Sequence, residues 1–149
     1  MKQADRKKVA DALSVVLANT FSLYLNTHAS HWNVTGPHFH DLHKLFEAQY
    51  EGLHSAIDEL AERIRTLGQP APAGLSTFAK LSKVKESGHE KDAEAFIKAL
   101  IKGHEVVQAS LEKLIELADD VDDSVTEDLA ITRAGDHAKM VWMLESTLA

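Results

Sequence analysis

Apolar residues recur at steps of three and four along four long stretches of this 149-residue chain, and this spacing places them on one side of an α-helix. The stretches cover residues 7–31, 37–68, 93–118 and the region that follows the acidic run 119–123. No stretch of useful length alternates between apolar and polar residues as a half-buried β-strand does. The pattern therefore predicts an all-α fold built from four long helices.

The residues between these stretches predict how the helices end and connect. Gly36 and Pro37 break the chain between the first two helices, and Ser124 with Glu127 has the spacing of a capping box for the fourth. About 20 residues, with a short amphipathic segment over 75–81, separate helices two and three, more than antiparallel neighbours usually need. We therefore expect a crossover that leaves helices two and three parallel.

Length and composition predict one ordinary domain. A hydrophobic content of 44% in 149 residues suits a single core, so we expect one domain over 1–149 with a short N-terminal arm over about residues 1–6. No apolar stretch reaches the roughly 18 residues of a membrane span, and the start lacks the apolar core of a signal peptide. These features favour a cytoplasmic protein without membrane contact.

The chain has no cysteine, which excludes disulfides, thiolate metal sites and thiol nucleophiles. A bound metal would need histidine nitrogens and carboxylate oxygens as ligands. Such ligands favour iron, manganese or zinc. The nine histidines are unevenly distributed, because five of them fall within residues 28–43, and this enrichment indicates a metal site.

A row of side chains that can bind metals lies along one face of the second helix. At 3.6 residues per turn the row falls within one arc, but at ~1.5 Å per residue it extends over roughly 28 Å. No single ion can contact both ends. The residues of the row are His43, Glu47, His54, Asp58 and Glu62.

Three interpretations of this row are open. It is an acidic surface stripe, or two half-sites that other groups complete, or two half-sites that a symmetry-related copy of the same helix completes. In the third case an antiparallel partner helix would lay Asp58 and Glu62 of one chain opposite His43 and Glu47 of the other. The two helices would cross near Gly52, which has no side chain to keep the backbones apart.

The segment 30–36, Ser-His-Trp-Asn-Val-Thr-Gly, resembles the signature of the Dps mini-ferritins, and the likeness continues through His43, Asp58 and Glu62 to residues 142–144. The resemblance implies a ferritin-like four-helix bundle, with a short helix in the crossover, that assembles as a dodecameric shell. It also implies oxidation of Fe(II), preferentially with hydrogen peroxide, and storage of Fe(III) mineral inside the shell, which protects the cell from oxidative damage.

The resemblance also implies which residues carry the oxidation. His31 and His43 would come from one chain, and Asp58 and Glu62 from its partner, so that each ferroxidase site lies between subunits. Glu47 matches a supporting position that holds Asp or Glu. Mixed imidazole and carboxylate ligands suit both Fe(II) and the harder Fe(III).

Other residues near the expected site have open roles. Trp32, next to His31, has two interpretations: it quenches stray oxidising equivalents, or it packs at an interface. We favour packing, because the indole is a large apolar group. The roles of four further histidines are open, namely His28, His38, His40 and His54.

The acidic run before the fourth helix also has two interpretations. As plain structure, Asp122 and Asp123 favour the positive end of the helix, and Ser124 caps it. By resemblance, Asp123 and Asp128 match acids that line an iron-entry pore, where negative charge concentrates Fe(II).

DNA binding gives the family its name, but it depends on basic arms that this chain hardly has. A small N-terminal cluster of Lys and Arg over residues 2–8 is offset by Asp5 and Asp11, and the net charge is -7. We therefore expect weak or absent DNA binding. The alternative function is a nucleoid-binding structural protein with secondary metal binding.

Overall fold

The computed structural model describes residues 1–149 and contains five α-helices and no strand, which confirms the all-α expectation. The short helix lies where the amphipathic segment of the crossover predicts it. The helices are α1 (Gln3–Asn33), α2 (Phe39–Thr66), α3 (Leu75–Leu81), α4 (Ala93–Asp120) and α5 (Ser124–Ser146).

The four long helices form a bundle with one crossover. Gln49 of α2 donates a hydrogen bond to the Met140 carbonyl of α5, and Arg63 of α2 contacts Thr126 of α5, so these two helices are antiparallel. A short turn after Asp120 makes α4 antiparallel to α5 as well. Consequently α2 and α4 run in the same direction, as the long connection predicts.

One continuous apolar core fills the bundle, and every long helix contributes to it. Fully buried leucines include Leu13 of α1, Leu60 of α2, Leu111 of α4 and Leu144 of α5. Each such side chain stabilises the fold by about 1.5–3 kcal/mol. The core thus explains the apolar period of all four helices.

Side chains cap α4 and α5 at their N-termini. Asp92 accepts a hydrogen bond from the Ala95 N–H at 2.9 Å, and Asp123 accepts one from the Thr126 N–H at 3.1 Å. The predicted capping box of Ser124 and Glu127 is therefore wrong, because Asp123 is the N-cap and Ser124 is already helical.

The start of α1 also differs from expectation. The helix begins at Gln3, so the expected arm over residues 1–6 is reduced to two residues. Contrary to expectation, α1 is long and apolar enough to cross a membrane by length and composition alone. However, 56% of its apolar window is buried in the bundle, so the core accounts for much of that apolar character.

Candidate metal centre

His31 and His43 hold each other in place where α1 meets α2. The chain reverses between them at Gly36, whose φ of 118° is a conformation that favours glycine. The His31 Nδ1–H donates to the His43 carbonyl oxygen at 2.7 Å, and the His43 Nδ1–H donates to the His31 carbonyl oxygen at 2.7 Å. The two rings stack with centroids 3.8 Å apart at 11°.

These reciprocal hydrogen bonds decide the tautomer of both rings. A carbonyl oxygen only accepts, so each Nδ1 carries the proton, and each neutral ring keeps the lone pair on Nε2. A backbone carbonyl on Nδ1 is a common way to orient a histidine that binds a metal through Nε2. The pair therefore offers two oriented nitrogen ligands. Both histidines could be predicted as ligands from the sequence, but no sequence pattern indicates their mutual hydrogen bonding.

Glu47 follows His43 by one helical turn and adds a carboxylate on the same side of α2. Its side chain is 36% exposed, and its only ion pair is with Lys44 at 3.7 Å. Such an exposed pair contributes little and exchanges readily with solvent. Glu47 is therefore free to act as a ligand or as a base beside the histidines.

Asp58 and Glu62 lie further along α2 and are both exposed. Neither makes a side-chain hydrogen bond or an ion pair within the chain. His43 and Asp58 are 15 positions apart, which is roughly 22 Å along a helix. Accordingly, no three His, Asp or Glu residues of one chain come close enough to hold a metal ion. The structure thus brings His31 and His43 together but leaves the two acids apart from them.

Among the other residues with open roles, His28 lies beside the histidine pair, with its ring centroid 6.1 Å from that of His31. Trp32 is 62% exposed, and its ring centroid is 4.3 Å from that of His28. His54 is exposed, with its ring 5.4 Å from Tyr24. His38 and His40 are exposed at the start of α2 and make no side-chain hydrogen bond.

Asp123 is engaged within the chain. The Arg63 guanidinium donates to it at 2.8 Å, and the Thr126 hydroxyl donates at 2.6 Å. Burial by itself would raise the pKa of this carboxyl, but the hydrogen bonds from Thr126 and Arg63 outweigh burial and lower it. Since both carboxylate oxygens are occupied, the helix-capping interpretation is the one the geometry favours for Asp123. Asp128 is exposed and unpaired. Of the two acids expected to line an iron-entry pore, Asp128 is therefore the one whose carboxylate is available.

A polar cluster of His104, Arg133 and His137 lies in the core between α4 and α5, and the sequence pattern did not predict it. Arg133 Nη2 donates to His137 Nε2 at 3.3 Å, so the His137 Nδ1–H donates to His104 Nδ1 at 2.8 Å. Burial, followed by the Arg133 charge, lowers the pKa of His104 to about 3. Burial, His104 and Arg133 lower the pKa of His137 to about 2. The positive charge of Arg133 would repel a metal cation, so the cluster is not a metal site.

The sequence matches the family described as a ferritin-like domain over residues 10–149. It is 33% identical to DNA protection during starvation protein 2 of Bacillus anthracis, over 95% of this chain and 97% of that protein. It is 34% identical to the DNA protection during starvation protein of Helicobacter pylori, over 95% of this chain and 99% of that protein.

Solved structures give the same result at the level of the fold. The Dps protein of Vibrio cholerae O1, described as a member of the ferritin-like diiron-carboxylate proteins, superposes with a TM-score of 0.96 at 34% identity, over 100% of this chain and 94% of that one. A Dps protein of Bacillus brevis superposes with a TM-score of 0.94 at 32% identity, over 100% of both chains. The chain therefore belongs to the Dps family of ferritin-like proteins.

Proposed function

We propose that this chain is an iron-storage and detoxification protein with ferroxidase activity. It oxidises Fe(II), preferentially with hydrogen peroxide, and holds the ferric mineral inside a dodecameric shell. The observation that carries the proposal is the pair of oriented Nε2 atoms on His31 and His43. His43 also lies on the same face of α2 as the unpaired carboxylates of Asp58 and Glu62. The related Vibrio cholerae protein is described as belonging to the diiron-carboxylate proteins, which supports iron as the metal.

The electron count of this reaction accounts for the protective role. Two Fe(II) ions give one electron each to one hydrogen peroxide, which takes up two protons and leaves as two waters. No hydroxyl radical is released when both electrons arrive together. Imidazole ligands suit the Fe(II) substrate, while carboxylates hold the Fe(III) product, so a mixed set of ligands serves both states.

The carboxylates of each site come from a partner subunit in this proposal. Asp58 and Glu62 have no partners within their own chain, and their distance from His43 prevents a shared ion. Gly52 lies midway along the row, and a β-carbon built there would have no atom within 4 Å. This opening suits a close crossing of two copies of α2, which would place the acids of each chain beside the histidines of the other.

Co-assembly of two inactive variants tests this arrangement. A variant with His31→Ala and His43→Ala should lose rapid Fe(II) oxidation, and so should a variant with Asp58→Ala and Glu62→Ala. In a mixed dimer, one site combines both defects, while the other combines intact histidines with intact acids. Verified mixed shells should therefore recover one working site per mixed dimer, measured as the initial rate of Fe(II) oxidation by peroxide.

The parents and the wild type serve as controls in the same assay. Each parent should be checked for an unchanged helical spectrum and an unchanged assembly state, so that lost activity reports lost ligands. If mixed shells remain as inactive as both parents, the shared site is wrong. A site within one chain would then have to exist.

A second function, contact with DNA, is favoured by a groove between the crossover and α4. The groove has a volume of about 520 Å³, and its lining includes the lysines Lys83, Lys85, Lys98 and Lys102. The Bacillus anthracis relative is named for DNA protection. Glu86 and Glu90 line the same groove, so we expect any DNA binding there to be weak and to decrease steeply as salt rises. A variant in which these four lysines are replaced by glutamate should lose DNA retention at low salt. Unchanged retention in that variant would contradict DNA binding at this groove.

A further inference from the structure

Two exposed side chains lie at the middle of the row on α2, between its two half-sites. Glu51 follows Glu47 by one helical turn, so at 3.6 residues per turn it falls within the same arc as the rest of the row. His54 follows three positions later, with its ring 5.4 Å from that of Tyr24. Both Glu51 and His54 are exposed, and neither side chain makes a hydrogen bond or an ion pair within the chain. Both are therefore free to contact a group outside it.

Two antiparallel copies of α2 bring these side chains together when their half-sites meet. In such a pair, each step forward along one helix is a step back along the other. If His43 lies opposite Glu62 of the partner subunit, eight residues along from this pair Glu51 lies opposite the partner's His54. Two-fold symmetry repeats the contact, with His54 opposite Glu51 of the partner subunit.

We propose that His54 of each subunit pairs with Glu51 of the partner subunit, and that these two contacts set the register in which α2 packs against its copy. The pairing depends on the proposed function, because the shared oxidation site is what requires two copies of α2 to meet. An imidazole N–H donates to a carboxylate, and such charge-assisted hydrogen bonds are short and directional. His54 and Glu51 are positioning residues, since they align the half-sites without binding the metal.

The alternative register differs by one helical turn and matches fewer groups. His54 would lie opposite Glu47 of the partner subunit, while Glu51 would lie opposite the partner's Tyr50. Glu62 would move about 6 Å along the axis, beyond the end of the partner's row. In the proposed register, by contrast, both histidines of the row face a carboxylate and no residue of the row is left over. The contact at the middle of the row thus distinguishes the two registers.

The two contacts also matter before any metal binds. Glu47 faces Asp58 of the partner subunit in the proposed register, and two carboxylates without a cation between them repel each other. The chain also carries a net charge of -7, so its copies repel each other in general. Two imidazole–carboxylate contacts at the centre of the interface offset part of this repulsion. Association is then possible before iron arrives.

Disulfide trapping of the iron-free protein tests the register without background, because the natural chain has no cysteine. Glu51→Cys and His54→Cys are prepared as separate variants and co-refolded. The mixture should form covalent dimers with one chain of each variant, since directly opposed positions bring the two Cα atoms within the roughly 7 Å that a disulfide allows. Each variant alone should cross-link more slowly, because its two cysteines are offset by about 4.5 Å along the axis.

The alternative register predicts a different product in the same experiment. It places Glu51 within one position of Glu51 of the partner subunit, so Glu51→Cys alone should then cross-link faster than the mixture. That outcome would overturn the pairing. Absence of covalent dimers from the mixture and from both single variants would overturn it as well.

Exchange of the two side chains tests their contribution to association. Glu51→His alone would oppose two imidazoles, and His54→Glu alone would oppose two carboxylates, so each should raise the concentration needed for half-association about tenfold. The double variant, Glu51→His with His54→Glu, restores both contacts in the same register and should return to the wild-type value. Sedimentation of iron-free protein over a range of concentrations measures this. A double variant that associates no better than the single variants would contradict the pairing.

Failure of the pairing and failure of the proposed function have different signatures. If the co-assembled inactive variants recover Fe(II) oxidation while Glu51→Cys cross-links preferentially to itself, only the pairing is wrong. If the mixture of Glu51→Cys and His54→Cys cross-links as expected while the co-assembled variants stay inactive, only the shared oxidation site is wrong.

Discussion

At the scale of single residues, side chains of the same type have different roles in this chain. His31 and His43 expose Nε2 because backbone carbonyls bind Nδ1, whereas His104 and His137 use their nitrogens inside the core. Asp123 is buried and paired, whereas Asp128 is exposed and unpaired. These contrasts make matched variants possible.

We expect Asp123→Ala to destabilise the fold. The change removes the N-cap of α5 and leaves the Arg63 guanidinium without its carboxylate, and the buried charge pair alone predicts a loss of about 3 kcal/mol in the free energy of unfolding. Denaturant unfolding of the variant measures the loss. Asp128→Ala is the control and should remain within about 0.5 kcal/mol of wild type. Similar losses in both variants would contradict the structural role of Asp123.

Asp128→Asn should instead slow iron uptake while leaving stability unchanged. The exposed carboxylate is repeated by symmetry in a closed shell, so its removal weakens the attraction of Fe(II) to the expected pore. Stopped-flow uptake at low salt measures the effect, and the difference from wild type should shrink as salt rises. Uptake that matches wild type at low salt would leave Asp128 without a role in entry.

At the scale of helices, α4 and α5 meet at a seam where His104, His137 and Arg133 are buried together. The pKa values of His104 and His137, about 3 and about 2, lie below their ordinary value of 6.5. The charge that acts on both imidazoles is that of Arg133, and Asp136 of α5 and Glu59 of α2 in turn act on Arg133. Protonation of either imidazole would therefore place a second cation beside Arg133 in the core.

The seam predicts a loss of stability in acid. Between pH 6.5 and about 3 the unfolded chain binds more protons than the folded chain, so stability is fully present above pH 6.5 and falls as pH decreases through this window. The two histidines should add about two protons to the uptake on unfolding. His104→Leu with His137→Leu should flatten this acid limb, measured as the unfolding midpoint against pH. An unchanged acid limb would exclude the pair as its source.

At the scale of the whole molecule, the surface indicates association. Two large indoles, Trp32 and Trp142, are each 62% exposed, and Ile131 is 51% exposed. Tryptophan is enriched at interfaces between proteins, because its large ring is apolar while its N–H can still be hydrogen-bonded. Together with the incomplete half-sites on α2, they favour assembly with copies of the same chain.

We therefore expect a closed shell of about twelve chains, since closed point groups are the usual form of soluble homo-oligomers. Sedimentation at neutral pH should show a single large species, with and without iron. A population of only monomers or dimers under both conditions would contradict the shell. The oxidation site shared between two chains could then form only in the dimer.

The helices, the crossover and the residue types of the candidate site could all be predicted from the sequence. These follow from local properties: helical period depends on neighbouring residues, and metal ligands follow from side-chain chemistry. Prediction was less accurate at the helix ends, where Asp123 rather than Ser124 caps α5. Adjacent polar residues can each cap a helix, and contacts elsewhere select among them.

The contacts between residues that are distant in the sequence could not be predicted and became visible only in the folded chain. The hydrogen bonds between His31 and His43, the pairing of Asp123 with Arg63, and the stacking of His28 on Tyr50 each join residues of different elements. Such contacts depend on the axial register of one helix against another. That register is set by how the whole core packs, because interior side chains interdigitate closely, and no local pattern in the sequence records it.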